Sequence, residues 1–198
     1  MPRASRADAA RHHEEVIGAA ARLFRERGIG SVSVPEVMAE AGLTRGGFYK
    51  HFESKDALVT TAVEAAFAEQ LARVHRFTAL HPDDPGAAHR EMLDYYLSPE
   101  HRDDPGGGCP NAALASEVAH TEPGSGPRAA FAAGMRTMLQ AYGAESAPGA
   151  EPNRREAALL LEIATLAGAL MLARATEGDE LSDRILAAVR RSFDRPSD

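Results

Sequence analysis

Hydrogen-bond donors are concentrated in the stretch from Gly42 to Leu58, GLTRGGFYKHFESKDAL. Both lysines of the chain, Lys50 and Lys55, lie within it. Side chains of Thr, Arg, Tyr, Lys and His donate hydrogen bonds to phosphate oxygens and to the edges of nucleic-acid bases. The stretch therefore predicts a surface that binds an anionic polymer. Its aromatic members Phe48 and Phe52 are expected in the core instead, because phenylalanine is seldom exposed.

A glycine pair, Gly46 and Gly47, interrupts a segment that otherwise has the pattern of a helix. Each glycine costs about 1 kcal/mol relative to alanine inside a helix. Close approach of the backbone to another surface can offset that cost. We therefore expect Gly47 to allow close approach of the partner of this segment. Gly46 either has the same role or allows close packing between helices of the protein.

The chain before this stretch has the pattern of two helices. The first, HHEEVIGAAARLFRERG, has apolar residues at three- and four-residue spacing and is expected to end at Gly28. Ser33 and Glu36 have the spacing of a capping box at the start of a short second helix, which Gly42 ends. Residues 1–11, with Arg3 and Arg6, predict a flexible basic arm.

The chain from Thr44 onward also predicts helices. Thr44 is expected to cap a short helix that runs to about Phe52, which completes a helix-turn-helix pattern. Ser54 is expected to cap a long helix that runs to about Leu80. Further helices are expected between Gly- and Pro-rich loops, including SPEHRDDPGGG and GAESAPGAEPN, and no period-two strand pattern occurs; these helices cover about 86–97, 111–120, 128–142, 154–175 and 181–194.

The segment VMAEAGLTRGGFYKHFESKDAL resembles the DNA-binding domain of TetR-type transcriptional regulators, the tetracycline-repressor-like family. The residues that carry the resemblance are Val37, Ala41, Gly42, Leu43, Thr44, Gly46, Tyr49, His51, Phe52, Lys55 and Leu58. Met38 stands where the family usually has Ala, which implies slightly different packing between the second and third helices. The specific resemblance covers about residues 14–60, and GGGCPNAALASEV is similar to a segment of one family subset.

The resemblance implies an all-α fold with two domains. Residues 1–55 would form a three-helix helix-turn-helix DNA-binding domain with its arm, and residues 56–198 a helical bundle that binds a ligand and dimerises. Within the first domain, bases would be contacted by Arg45, Gly47 and Lys50, and the DNA backbone by Thr44, Tyr49, His51 and Lys55. Ser33 and Gly46 complete the expected interface. Lys55 is also compatible with a solvated first-turn position, and His51 with packing at a helix junction.

The formal net charge of -7 argues against a broad nucleic-acid-binding surface. Residues 1–60 contain nine Lys/Arg against eight Asp/Glu, whereas residues 61–198 contain thirteen against twenty-one. The acidity therefore belongs to the C-terminal part. A small number of phosphate contacts per monomer is compatible with a dimer on two half-sites, which lie roughly 34–36 Å apart.

The C-terminal part supplies residues for an apolar, deformable pocket. The residues expected to line it are Met92, Tyr95, Tyr96, Cys109, Phe131, Met135, Met138 and Tyr142. Glu117 or Glu162 would favour a cationic ligand if they faced the pocket, and would be capped or solvated otherwise. Plain core packing is the alternative for the whole set.

The resemblance implies a ligand-responsive regulator, a repressor, that binds a palindromic operator as a homodimer through helices 154–175 and 181–194. A small-molecule effector would release it from double-stranded DNA. The alternatives are a thiol-responsive regulator through Cys109, or an enzyme that uses the helical pocket. The sequence has no residue spacing typical of a catalytic site, so we expect no enzymatic activity. We also expect no cofactor and no metal site. The single cysteine and the interrupted apolar run 157–173 predict a cytoplasmic protein without a membrane span.

Overall fold

The computed structural model of the chain describes residues 6–145 and 151–194. Within these two ranges the secondary structure is helical and contains no strand, which confirms the predicted all-α fold class. The helices are α1 (Arg6–Arg27), α2 (Val34–Glu40), a 3₁₀ helix (Arg45–Lys50), α3 (Lys55–Leu80), α4 (Pro85–Tyr96), α5 (Pro99–Asp103), α6 (Pro110–Ala119), α7 (Gly126–Glu145), α8 (Pro152–Ala175) and α9 (Glu180–Phe193).

The predicted ends of the first helices are confirmed. Gly28 and Gly42 have φ values of 84° and 70°, in the left-handed region that favours glycine, and they follow α1 and α2. Ser54 precedes α3, and its hydroxyl accepts a hydrogen bond from the amide of Ala57 at 3.0 Å. These local signals fix where each helix starts and stops.

The predicted flexible arm is wrong over residues 6–11, because α1 already begins at Arg6. Ala9 and Ala10 are strong helix formers, and Arg11 pairs one turn on with Glu15 at 2.6 Å. The arm residue Arg3 lies outside the described residues. Local propensity therefore extends the helix through a segment whose composition suggested a loop.

The acidic loop predicted at SPEHRDDPGGG contains a short helix, α5. The Ser98 hydroxyl accepts a hydrogen bond from the amide of His101 at 3.1 Å, and Pro99 occupies the first helical position. This capping signal was present in the sequence and was missed. Part of the loop predicted at GAESAPGAEPN is also helical, because α7 extends to Glu145 and α8 begins at Pro152.

The buried apolar side chains form two clusters. The first joins α1, α2, the 3₁₀ helix and α3 to Leu114 and Val118 of α6 and to Met138 of α7. The second joins α4, Cys109, α8 and Leu186 of α9. The first cluster runs across the boundary predicted between residues 55 and 56, which falls in the first turn of α3 and stays a prediction.

The α3 and α7 helices pack closely at Gly134. A Cβ atom at this position would overlap the ring of Phe67, so the contact has room for glycine alone. The Phe67 ring also meets the ring of Phe131 edge-on, with centroids 5.1 Å apart. Phe131 therefore packs against the first cluster and lies away from the pocket that it was predicted to line.

α8 is the most apolar helix. Its residues Asn153–Ala175 are long and apolar enough to cross a membrane by length and composition, which the interrupted run 157–173 did not indicate. A single helix of this kind is weak evidence for a span, because core helices of soluble proteins share its composition. One side of α8 is buried, as at Leu170, whereas Leu161 and Leu172 are 70% and 58% exposed.

His101 on α5 is buried between two aromatic rings. Its Nδ1 donates a hydrogen bond to the carbonyl oxygen of Tyr96 at 2.8 Å, and its ring lies 5.0 Å from the ring of Tyr95. Burial lowers the pKa of His101 to about 4, so the ring is uncharged at neutral pH. Protonation therefore opposes the fold.

We predict that His101 makes the protein less stable as the pH falls from about 6.5 to about 4. Between these pH values His101 is protonated in the unfolded chain but uncharged in the folded protein. The free energy of unfolding therefore decreases as the pH is lowered, by up to about 3 kcal/mol. Urea unfolding of the wild type and of His101→Leu at several pH values measures the difference. Equal pH dependence of the two proteins would contradict the prediction.

Candidate nucleic-acid interface

The segment predicted as an α-helix from Thr44 to Phe52 is a six-residue 3₁₀ helix instead. The amide of Gly47 bonds to the carbonyl of Thr44 at 2.9 Å, an i→i+3 bond. The adjacent Gly pair has poor helix propensity, so tertiary anchoring decides the local backbone. The Thr44 hydroxyl makes no capping bond, which corrects the expected side-chain cap and leaves this group for another partner.

Phe48 and Phe52 anchor the 3₁₀ helix, which confirms their expected place in the core. Their rings lie 5.7 Å apart, and His13 of α1 stacks on Phe52 at 4.7 Å. The buried aromatic side fixes which residues face outward.

The outward face of the 3₁₀ helix presents unpaired polar groups. Tyr49 is 81% exposed, and Arg45 and Lys50 are also exposed. Arg45 and Lys50 have no ion-pair or hydrogen-bond partner within the described ranges. By contrast, Arg25 and Arg27 of α1 pair with Glu69 and Glu36, as Arg22 does with Glu26. The cations beside Tyr49 are therefore available to an external acceptor.

The Gly pair has no steric role inside the described chain. A Cβ atom at Gly46 would meet nothing within 4 Å, and one at Gly47 would meet only the Met38 terminal methyl at 3.5 Å, an ordinary contact. Neither glycine has a positive φ. The alternative that Gly46 serves helix packing is thus disfavoured, and the cost of two glycines points to a partner outside the chain.

Lys55 has partners that the sequence did not indicate. Its ammonium donates to the carbonyl oxygens of Ile29 and Val32 at 2.8 and 2.7 Å. These bonds explain a lysine at a helix N-terminus, where the helix dipole disfavours a cation, without a bound anion. One N–H of the Lys55 ammonium remains to donate to a phosphate, and the predicted phosphate contact stays a prediction.

His51 is half-buried at the C-terminal end of the 3₁₀ helix. Burial lowers its pKa, and the neighbouring His13, His12 and Lys50 lower it further. These basic groups repel a further positive charge on His51. A bound anion would offset this repulsion. The predicted backbone contact of His51 is untested by this geometry.

Ser33 and Glu36 form the predicted capping pair at the start of α2. The Glu36 carboxylate accepts from the Ser33 amide at 2.8 Å and from its hydroxyl at 2.6 Å. These bonds, with that of Arg27, lower the pKa of Glu36 to about 2. The Ser33 hydroxyl is committed within the protein, and its contact with DNA stays a prediction.

A second feature, a cavity, lies at the far end of α3. Its free volume is about 20 Å³, which is room for about one water molecule. The lining residues are Gln70, Tyr96, Cys109, Asn111, Met138, Tyr142, Leu159, Glu162, Ile163 and Leu166.

Four of the eight residues predicted for a pocket line this cavity, namely Tyr96, Cys109, Met138 and Tyr142. The other four pack elsewhere. Met92 lies in the second core cluster, Phe131 and Met135 pack on the first, and Tyr95 lies beside His101 and the Arg73 guanidinium. The sequence of a helix face rich in Met and aromatic residues does not show which of its side chains border a cavity.

The pocket residues missed by the sequence analysis are mostly polar or lie on α8. Asn111, two residues after Cys109, and Gln70 on α3 carried no signal of their own. Glu162 was considered as a pocket acid, and it does line the cavity. Glu117 does not, because its carboxylate accepts a hydrogen bond from the amide of Gly30 at 3.0 Å. No group of three His, Cys, Asp or Glu side chains that could hold a metal occurs in the described part of the chain.

The helix-turn-helix region matches the family model "Bacterial regulatory proteins, tetR family" over residues 16–62. These residues include α2, the 3₁₀ helix and the unpaired cations. The helix-turn-helix region of this chain is therefore of the TetR type.

Two relatives that match the N-terminal part of the chain are named as transcriptional regulators. The HTH-type transcriptional regulator AcrR of Shigella flexneri is 31% identical over 97 residues, which are 49% of this chain and 45% of AcrR. The HTH-type transcriptional repressor BepR of Brucella suis biovar 1 is 42% identical over 53 residues, 27% of this chain and 25% of BepR. The chain thus spans less than half of the length of these relatives.

The likeness to solved TetR structures extends over nearly the whole chain. A TetR transcriptional regulator from Chloroflexus aurantiacus J-10-FL has 28% identity and a TM-score of 0.70. The similarity covers 96% of this chain and 97% of that chain. The helical C-terminal part therefore shares its fold with that TetR regulator, although its sequence carried a weaker resemblance.

We predict that Gly46→Leu and Gly47→Leu fold normally but bind duplex DNA at least about tenfold more weakly, a loss of about 1.4 kcal/mol. The protein itself leaves space at both sites, so the side chain would obstruct only an external partner. Circular dichroism melting and fluorescence anisotropy with duplex DNA measure the two properties. Gly18→Leu, at another open and exposed glycine on α1, is the matched control. Undiminished DNA binding by both variants would contradict the prediction.

Proposed function

We propose that this TetR-family protein is a ligand-responsive transcriptional repressor that binds a palindromic operator as a homodimer. The observation that carries the proposal is the outward face of the 3₁₀ helix. There Arg45 and Lys50 are exposed without an ion-pair or hydrogen-bond partner among the described residues, next to the exposed Tyr49 and two glycines that the fold does not require. In the helix-turn-helix architecture, the second helical element enters the major groove and its side chains contact base edges and phosphates.

The proposed homodimer forms through α8 and α9. Leu161 and Leu172 lie three turns apart on one exposed face of α8, with Ala164 and Gly168 between them. A Cβ atom at Gly168 would meet nothing within 4 Å, so this face has room for a second helix. Ala169, in contrast, is buried in the second core cluster and lies on the inner side of α8. A second copy would cover the exposed apolar stripe and would account for the composition of α8.

Two helices connect the cavity to the proposed DNA surface. α3 is continuous over 26 residues, roughly 39 Å, with Lys55 at its first turn and Gln70 at the cavity. α6 borders the cavity with Asn111 in its first turn, and near its end Glu117 holds Gly30 between α1 and α2. An effector that shifts either helix would change the spacing of the two DNA surfaces. A coupling free energy of about 1–3 kcal/mol is typical of such linkage.

The alternatives have less support. Cys109 is buried and borders the cavity beside Tyr96, a position that suits packing better than reaction with solutes. An enzyme is not proposed, because the relatives are named as transcriptional regulators. A cytoplasmic location is inferred from the need to reach bacterial DNA.

DNA binding is tested with duplexes from the region beside the protein's own gene. We expect one duplex to bind at least about 10³-fold more tightly than a scrambled control, with affinity that falls as salt rises because counterions are released. Fluorescence anisotropy at several salt concentrations measures both effects. Binding that ignores sequence or salt would contradict the proposed function.

Dimerisation is tested with Leu172→Glu, which places a carboxylate in the proposed interface. We expect a monomer by size-exclusion chromatography with light scattering, and at least about tenfold weaker operator binding, because the two half-sites are no longer engaged together. Leu80→Glu, at a leucine that is 65% exposed at the end of α3, is the matched control and should remain dimeric. A dimeric Leu172→Glu protein would contradict the assignment of this face.

A further inference from the structure

We propose that His13 of α1 and His51 at the end of the 3₁₀ helix form a proton-linked site for a phosphate group of duplex DNA. The inference rests on the proposed function and deepens it. A contact of His51 with the DNA backbone is predicted from the sequence, whereas the structure adds His13 as a second imidazole. Its support comes from the placement of the two rings, from their lack of partners and from the charges around them.

The two rings lie beside each other at one edge of the exposed face. The His13 ring stacks on the ring of Phe52 with centroids 4.7 Å apart, and its centroid lies 6.1 Å from that of His51. His51 directly follows Lys50, the last residue of the 3₁₀ helix. Because Phe52 is buried, its ring fixes His13 next to the segment that presents Tyr49 and Lys50.

Neither ring is engaged by the protein itself. The ring nitrogens of His13 and His51 have no hydrogen-bond or ion-pair partner among the described residues, whereas the buried His101 donates to the carbonyl oxygen of Tyr96. Both rings are half-buried, so they keep access to solvent. A protonated imidazole offers two N–H donors, which suit a phosphate oxygen.

The charges that act on His51 come from basic groups. Burial lowers its pKa, and His13, His12 and Lys50 lower it further, so the ring is uncharged in the free protein at neutral pH. A phosphate would reverse this balance, because an opposite charge within about 4–6 Å favours the charged form of a group. Binding of DNA at this edge is therefore expected to take up protons.

The carboxylates of the neighbouring elements leave this negative charge to an external partner. Glu14 on α1, Glu53 before α3 and Asp56 in the first turn of α3 are exposed. Within the described ranges, none of the three forms a hydrogen bond or an ion pair with either imidazole ring. A DNA phosphate would therefore be the negative charge nearest to the pair.

The nearby cations other than Lys50 are engaged within the protein. Arg11 pairs with Glu15 at 2.6 Å and donates to the Nε2 atom of His12 at 3.1 Å. This bond makes His12 an acceptor, so His12 is left outside the site. The Lys55 ammonium donates to two backbone carbonyls of the connection between α1 and α2. The His13 and His51 rings therefore supply the charge that can change at this edge.

The affinity for DNA should fall as the pH rises. When a complex holds more protons than its free partners, its association constant decreases with increasing pH. Imidazole side chains change their charge between about pH 5 and pH 8. We therefore expect tighter binding near pH 6 than near pH 8. A lower limit of about pH 6 avoids most of the loss of stability that His101 causes.

The test uses the full-length protein and the duplex from beside its own gene that binds most tightly. Fluorescence anisotropy at constant ionic strength measures Kd at both pH values. We expect a Kd at least about tenfold lower at pH 6, the effect of a shift of one pH unit in one group. Calorimetry at about pH 7 in two buffers of different ionisation enthalpy should show net proton uptake on binding.

A variant locates the effect. His13→Phe keeps an aromatic ring on Phe52 but cannot be protonated, and it should reduce the ratio of the two Kd values to about threefold or less. His75→Gln, at an exposed histidine in the C-terminal half of α3, is the matched control and should keep the full ratio. Circular dichroism melting confirms that each variant is folded. The proton uptake of the unmodified protein decides the question if His13→Phe does not fold.

Equal affinity at the two pH values, binding without proton uptake, or a folded His13→Phe protein with the full ratio would each overturn the inference. Sequence-specific binding that does not depend on pH removes the histidine site and leaves the proposed function intact. Failure of every duplex to bind at either pH removes the proposed function, and the histidine site with it.

Discussion

The Lys55 ammonium holds the connection between α1 and α2 against the start of α3. It contacts the carbonyl oxygens of Ile29 and Val32 from the first residue of the longest helix. A cation at this position opposes the helix dipole, and the two carbonyls offset that cost. Because α2 follows Val32 directly, the position of the helix-turn-helix relative to α3 depends on this contact.

The connection between α1 and α2 is also held by a second helix that reaches the cavity. The connection held by Lys55 is also held by Glu117 of α6 through the amide of Gly30. α3 and α6 both reach the cavity, at Gln70 and Asn111. These two helices therefore connect the cavity to the proposed DNA surface, so a movement of either helix would reach both.

The sequence predicted those features that depend on local signals. Gly42, the capping residue Ser54 and the buried ring of Phe48 follow from turn chemistry, capping and side-chain type, and the TetR resemblance follows from the same short stretch. Features that depend on tertiary contacts were missed. The partners of Lys55 lie 23 and 26 residues away, and the 3₁₀ geometry of Arg45–Lys50 is set by buried rings that face α1. The pocket was half predicted, because an apolar helical face does not indicate which of its residues borders a cavity.

We propose that the exposed face around Tyr49 contacts duplex DNA. Replacement of Tyr49 by the photoreactive residue p-benzoylphenylalanine keeps an aromatic side chain on this face, and irradiation then links it to any molecule within reach. We expect a covalent adduct with the bound operator duplex at this position, and none when the same residue replaces Tyr95 beside His101. Operator binding without an adduct at Tyr49 would show that another surface contacts the DNA.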